Sequence, residues 1–292
     1  MVQPKLIIHG GAGGALDGGA SVESVRAVLE AVVTSAYTLL SQGASAEAAV
    51  MQACQALEAD PLFNAGTGSV MQSDGQIRMS AALMLGSPQS FSSVINTSRV
   101  EHPILMAQFL QTSPDRVVAE LGAAELAREM QLPIYDPTTP KRLQEWVHLQ
   151  GKAHSQRVLT SLAMGTIGAV ALDERGEIAV GTSTGGRGFE RIGRVSDSAT
   201  PAGTYSNAYA GVSCTGVGED ILDEGLAVRI VVRVTDGMSL AEAVAKTFAE
   251  ARSRQRAFGI IALAQNGDIA WDTTTDVLLA AYHDGQTTGL TI

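Results

Sequence analysis

The sequence predicts a layered α+β fold. Strand-length runs such as Ile260-Ile261-Ala262-Leu263-Ala264 are apolar on both faces, a pattern that fits a sheet covered on both sides. Other segments, Val22 to Leu40 among them, repeat apolar residues at helical spacing. The dipeptides Asp74-Gly75 and Asn266-Gly267 are hairpin signals. At 292 residues and 45% hydrophobic content the chain can bury a large core, and no break in composition divides it, so one domain over 1–292 is expected.

Taken in order, Lys5 to Ile8 reads as a short buried strand, and glycines 10, 11, 13 and 14 predict a tight loop after it. The helix from Val22 presents Val25, Leu29, Val32, Val33, Ala36, Leu39 and Leu40, with Ser21 as its cap and Gly43 as its stop. A second helix, about 46–59, carries Val50, Cys54 and Leu57 on one face and ends before Asp60-Pro61, because proline disfavours helical backbone in the residue before it. Between Ser69 and Leu85 the pattern turns strand-like around Asp74-Gly75, and helices follow at about 101–111 and 115–130. Residues 133–157 hold three prolines and no sustained period, which predicts a mobile linker ending just before Gly165. Beyond it come strands 167–172 and 177–182 around Glu174-Arg175-Gly176, a glycine-rich loop, helices near 219–233 and 239–252, and the hairpin at Asn266-Gly267.

Composition narrows the function. A net charge of -10 repels a phosphate backbone and no basic stripe offsets it, so nucleic acid is not an expected partner. Val158 to Leu172 is too often interrupted by small and polar residues to span a membrane, and the N-terminal stretch lacks the apolar length of a signal peptide; a cytoplasmic protein is expected. Cys54 and Cys214 are too few for a disulfide framework, and the five histidines show no metal-ligand spacing.

The chemistry-bearing segments are His9-Gly10-Gly11-Ala12-Gly13, Phe63-Asn64-Ala65-Gly66-Thr67-Gly68, Gly165-Thr166 at the head of an apolar strand, Thr182-Ser183-Thr184-Gly185-Gly186, Gly193-Arg194-Val195-Ser196-Asp197-Ser198 and Ser213-Cys214-Thr215-Gly216-Val217-Gly218-Glu219. In this order they resemble the plant-type L-asparaginase and isoaspartyl-peptidase family of N-terminal-nucleophile hydrolases, from about residue 5 to the C-terminus. The resemblance implies a four-layer αββα sandwich. It also implies self-cleavage of the Gly165–Thr166 bond into an α chain, 1–165, and a β chain, 166–292, and association as a dimer of αβ heterodimers.

A threonine hydroxyl is a weak nucleophile that needs a base within hydrogen-bond reach. Once the bond before it is cut, the α-amine of Thr166, titrating near 7.7–8.0, can serve as that base. By resemblance, Thr184 orients the nucleophile, and Thr215 and Gly216 stabilise the oxyanion, with Asn64 at the same centre. Arg194 and Asp197 take the α-carboxylate and α-amino group of a small β-aspartyl substrate, L-asparagine or a β-aspartyl dipeptide, and Gly218 lines that pocket. A guanidinium gripping a carboxylate by two parallel bonds suits this role. The carbonyls of Leu57, Glu58, Asp60, Phe63, Ala65 and Thr67 match a family loop that coordinates sodium; no organic cofactor is expected. Two residues depart from the family pattern: Ser196 stands where glycine is usual and Ser80 where aspartate is usual. Two rival readings remain, an unprocessed inactive scaffold protein and a serine hydrolase built on Gly181-Thr182-Ser183-Thr184-Gly185, which fits G-x-S-x-G.

Overall fold

The computed structural model of the chain describes residues 2–13, 21–152 and 165–291. Its elements run β1 (Lys5–Gly13), α1 (Val22–Ser41), α2 (Ala46–Ala59), β2 (Met79–Leu85), β3 (Ser90–Thr97), α3 (Pro103–Leu110), β4 (Val117–Ala119), α4 (Leu121–Glu129) and α5 (Pro140–Lys152). After the break follow β5 (Ile167–Leu172), β6 (Ile178–Thr184), β7 (Thr204–Ser206), β8 (Ala210–Gly216), α6 (Gly218–Glu224), α7 (Leu226–Thr235), α8 (Leu240–Ser253), β9 (Phe258–Ala264), β10 (Ile269–Thr273), β11 (Val277–His283) and β12 (Thr288–Leu290).

The strands form two sheets. One has the order β12-β11-β1-β5-β6-β2-β3-β4, and the other β10-β9-β8-β7. All pairings are antiparallel except β3 with β4. Three apolar clusters account for their stacking. Leu6, Ile8, Ala169 and Ala171 face α1 to α3 through Leu29, Val33, Val50, Cys54 and Ile104. On the smaller sheet Val212, Cys214, Ile260 and Ala262 meet Ile230, Val231, Val244 and Phe248 of α7 and α8. Between the sheets lie Ile7, Val170, Leu172, Val180, Ile261, Leu263 and Leu278. The strands apolar on both faces are therefore those with a helix layer on one side and a second sheet on the other.

Several elements match their sequence signals. Ser21 Oγ accepts from Ser24 N–H at 3.0 Å, capping α1, and Gly43 turns the chain at φ +86° just past its end. Strands β5 and β6 pair in register from Ile167 with Ser183 to Leu172 with Ile178, and β9 and β10 pair across Asn266-Gly267. Both cysteines are buried free thiols.

Other expectations are corrected. Of the loop expected after Ile8, residues 9–13 are instead the second half of β1, which pairs with β11 to Gly13 through an irregularity at His9–Gly11, while Gly14 lies outside the described residues. No hairpin forms at Asp74-Gly75. The backbone of this segment is bound locally and to other loops, Gly75 N–H to Gln72 O and Ser73 N–H to Glu190 O, while Arg78 grips Asp74 and Gln72. The hairpin lies instead between β2 and β3. The helix expected at 115–130 is preceded by β4, with Glu120 at φ +47° between strand and helix. That expected at 219–233 is broken at Gly225, whose left-handed φ of +53° ends α6 and opens α7. The linker expected over 133–157 contains α5. Its prolines mark the approach to a helix, Pro140 occupying the first turn, where a missing N–H costs nothing. Arg142 Nε donates to Gly68 O at 2.6 Å and Trp146 Nε1 to Gln72 O at 3.0 Å, fixing α5 on the 68–72 loop. Residues 153–157 lie outside those described. Among the described residues no helix is long and apolar enough to cross a membrane.

Candidate active site

Thr166 sits at the mouth of β5, level with the end of β6, because Ile167 pairs with Ser183. Its Oγ1 donates to Thr184 Oγ1 at 2.9 Å and lies 3.5 Å from Ser198 Oγ. Gly186 N–H also donates to Thr184 Oγ1, at 3.1 Å, so the hydroxyl that receives Thr166 is held by the loop leaving β6. Asn64 braces this loop. Its Nδ2 donates to Gly186 O at 2.7 Å, its Oδ1 accepts from Val70 N–H at 2.9 Å, and its backbone carbonyl accepts from Gly185 N–H at 2.8 Å.

Thr215 arrives from the other sheet. A β-carbon added at Gly165 would lie 3.4 Å from Thr215 Oγ1, which places this buried hydroxyl against the Gly165–Thr166 junction. Ala12 N–H donates to the same oxygen at 3.2 Å, leaving the Thr215 proton free to donate. Gly216 follows at φ +132°, and a β-carbon there would come 2.6 Å from Phe258 Cα; only glycine allows β8 to run so close to β9 here.

Three residues beyond Thr215, Gly218 opens α6 at the meeting point of three polar groups. A β-carbon at Gly218 would lie 2.7 Å from Ser196 Oγ, 2.8 Å from Asp197 Oδ1 and 2.9 Å from Arg194 Nη2. Arg194 is gripped by Glu219, Nε to Oε1 at 2.8 Å and Nη2 to Oε2 at 3.0 Å. Those bonds hold the Glu219 carboxyl down at about 2. Asp197 is 2% exposed, and burial pushes its carboxyl up to about 6 against the opposing bond from Ser196 and the charge of Arg194. Glu190, also buried, approaches Gly186 and is shifted upward by burial.

The expected sodium loop is tightly wound. Thr67 N–H donates to Glu58 O and Phe63 N–H to Asp60 O. A β-carbon at Gly66 would strike the Glu58 carbonyl, and one at Gly68 would come 2.9 Å from Phe63 O. Leu57, Phe63 and Ala65 are fully buried. The Glu58 side chain turns away from the loop to accept from Ser183 Oγ at 2.6 Å and Ile104 N–H at 3.1 Å, linking the loop to the residue before Thr184. Among the described residues no cluster of three His, Cys, Asp or Glu side chains could hold a metal, so an ion here would rest on carbonyl oxygen.

The same contacts dispose of the serine-hydrolase rival. Ser183 lies fully buried inside β6 and donates to Glu58, whereas a G-x-S-x-G serine must stand exposed on a strand-to-helix turn.

Sequence reasoning missed three groups. Glu219 stands in the sequence only as the last letter of a segment, although an acid is the natural partner of the half-buried Arg194. Ser198 adjoins the nucleophile. His9 lies in one row with Gly168 and Thr182 across β1, β5 and β6. Its Nε2 meets Ser213 Oγ at 2.9 Å, and Ser213 meets Thr182 Oγ1 at 2.7 Å, directly under the head of β5. Burial drives the imidazole down to about 3, against the opposing influence of the neighbouring Thr166 backbone, so it is neutral at ordinary pH. No sequence signal singles out a lone histidine for such a place.

Comparison with known proteins follows the same outline. A family model described as asparaginase matches residues 2–292. An isoaspartyl peptidase/L-asparaginase of Nostoc sp. is 58% identical over 303 residues, covering 100% of this chain and 95% of that protein. One of the same name from Synechocystis sp. is 55% identical over 298 residues, covering 99% and 90%. A plant-type L-asparaginase of Pyrococcus furiosus is 36% identical over 300 residues, covering 95% of each.

Proposed function

The chain belongs to the asparaginase family, and on that premise we propose that it cuts its own Gly165–Thr166 bond and then hydrolyses L-asparagine and β-aspartyl dipeptides with Thr166 as nucleophile. The observation that carries this reading is the 2.9 Å bond from Thr166 Oγ1 to Thr184 Oγ1, with the Thr215 hydroxyl set against Gly165. The two stacked sheets with helices outside them fit the αββα sandwich of N-terminal-nucleophile hydrolases.

In maturation, Thr166 Oγ1 adds to the Gly165 carbonyl carbon and the C–N bond breaks, moving the acyl group to oxygen. Water then hydrolyses this ester, giving a Gly165 carboxylate and a free Thr166 amine. In turnover that amine takes the hydroxyl proton as Oγ1 attacks the substrate's side-chain carbonyl. The oxyanion receives hydrogen bonds from the Thr215 hydroxyl and Gly216 N–H; one such donor lowers the barrier by about 2.7–4 kcal/mol. The C–N bond breaks, ammonia or an amino acid leaves with the proton, and water releases L-aspartate from the β-aspartyl ester.

Arg194 and Asp197 hold the α-carboxylate and α-ammonium. Glu219 already occupies the Nε–Nη2 edge of Arg194, which aims the guanidinium and leaves its remaining N–H groups for the substrate. The carbonyls of Leu57, Glu58, Asp60, Phe63, Ala65 and Thr67 hold a sodium ion that stiffens the loop carrying Asn64. The processed α and β chains pair as a dimer of heterodimers, without nucleic acid or membrane partners, in the cytoplasm. Thr166→Ala tests the reading: it should remain one polypeptide and release no ammonia from L-asparagine, and a cleaved, active Thr166→Ala protein would overturn it. An uncleaved, inactive native protein would favour the scaffold alternative.

A further inference from the structure

We propose that Ser196 is a ligand of the substrate's α-ammonium group, standing beside Asp197. The inference rests on the function proposed above and adds to it a specificity residue peculiar to chains with serine here. Ser196 is half-buried, and its Oγ donates to Asp197 Oδ1 at 2.8 Å. Both oxygens pack against Gly218, since a β-carbon there would lie 2.7 Å from the first and 2.8 Å from the second, with Arg194 Nη2 2.9 Å away, so a residue with a side chain at 218 would displace them.

Donor and acceptor accounting gives the hydroxyl its role. A serine hydroxyl has one proton and two lone pairs. The proton goes to Asp197, so what Ser196 has left for a ligand is acceptor only. An ammonium brings three donors and no acceptor, more than one carboxylate oxygen can satisfy, and the second Asp197 oxygen is buried, with a β-carbon at Gly203 lying 2.5 Å from it. Ser196 Oγ, bonded to the other Asp197 oxygen at 2.8 Å, stands beside it as a further acceptor. Its bond to a carboxylate polarises it and makes it a better one. With Arg194 assigned to the carboxylate end of the zwitterion, the pair Ser196–Asp197 is left to read the amine. A glycine at 196 would leave the amine one acceptor short.

The test is calorimetric titration of L-aspartate, and of succinate, which lacks the amine, into the native protein, Ser196→Ala and Ser196→Gly. Both variants should bind L-aspartate about tenfold more weakly, as for loss of a hydrogen bond to a charged group, about 1.4 kcal/mol, while succinate affinity stays within about twofold. Unchanged or tighter L-aspartate binding in the variants overturns the assignment; tighter binding would mean that the hydroxyl competes with the ammonium for Asp197. Equal losses for both ligands, or no L-aspartate binding by the native protein, overturn it equally. Absence of turnover in native protein that still shows the aspartate-specific loss would defeat the functional reading and leave this one standing.

Discussion

Lowering the pH through 6 should remove recognition of the substrate amine, because Asp197 titrates there. The carboxyl is 2% exposed, and burial lifts it from an ordinary 3.8 to about 6 despite the Ser196 bond and the Arg194 charge. At about 1.36 kcal/mol per unit, ionising it in the empty site costs about 3 kcal/mol more than in water. Roughly nine-tenths of the free enzyme then carries the charge at pH 7 and roughly a tenth at pH 5. An α-amine ordinarily titrates near 7.7–8.0, so between pH 7 and pH 5 the proposed base at Thr166 also loses its neutral fraction, and one substrate alone confounds the two groups. The ratio of kcat/KM for L-asparagine to that for succinamate, which lacks the α-amino group, isolates Asp197, since kcat/KM reports the free enzyme. This ratio should fall about tenfold from pH 7 to pH 5, and Asp197→Asn should flatten it. A ratio constant within about twofold in the native enzyme would refute the assigned role. Stability runs in the opposite sense. With a folded pKa above the unfolded one, Asp197 contributes stability that is present below pH 3.8 and lost as pH rises through about 6, so acidification across that window favours the empty fold at this residue.

Two further outcomes are expected. Gly168→Ala would drive a methyl group between His9 Nε2 and Ser213 Oγ, with Gly181 O 3.1 Å away; overpacking of this kind costs about 1–3 kcal/mol and should lower Tm by on the order of 5 °C and slow maturation, whereas a native Tm would show that the row under Thr166 is loosely packed. Replacing sodium by choline at constant ionic strength should lower Tm reversibly, by mass action on the 57–67 carbonyl loop, and about 2.7 kcal/mol is at stake where the ion stands at a hundred times its Kd; an unchanged melting curve would remove the ion from the account.

What the sequence made legible follows a physical division. Helix α1 and strands β5, β6 and β9 announce themselves because their periods and caps are local: Ser21, Gly43 and the apolar run Ile167 to Leu172 need no distant partner to be read. Where backbone bonding is decided at long range, the reading fails. Residues 69–78 look like a strand but spend their N–H and C=O groups on Asn64, Gly66, Phe189, Glu190, α5 and one another. Helix α5 looks like a linker because its prolines precede it, and its anchors, Gly68 and Gln72, lie some seventy residues upstream. The site divides in the same way. Thr166, Thr184, Thr215, Arg194 and Asp197 were legible as members of short ordered segments. The bond from Glu219 to Arg194, the row of His9, Gly168 and Thr182, and the meeting of Ser196 with Gly218 exist only once the sheets and α6 are assembled.

On the proposed function, the working nucleophile is a chain terminus made by the protein itself. Intact mass spectrometry of the purified protein, followed by N-terminal sequencing and an ammonia-release assay on the same sample, decides whether it is. Two polypeptides are expected, 1–165 and 166–292, the second beginning at Thr166, with activity proportional to the processed fraction. Full turnover in material whose Gly165–Thr166 bond is unbroken would contradict it.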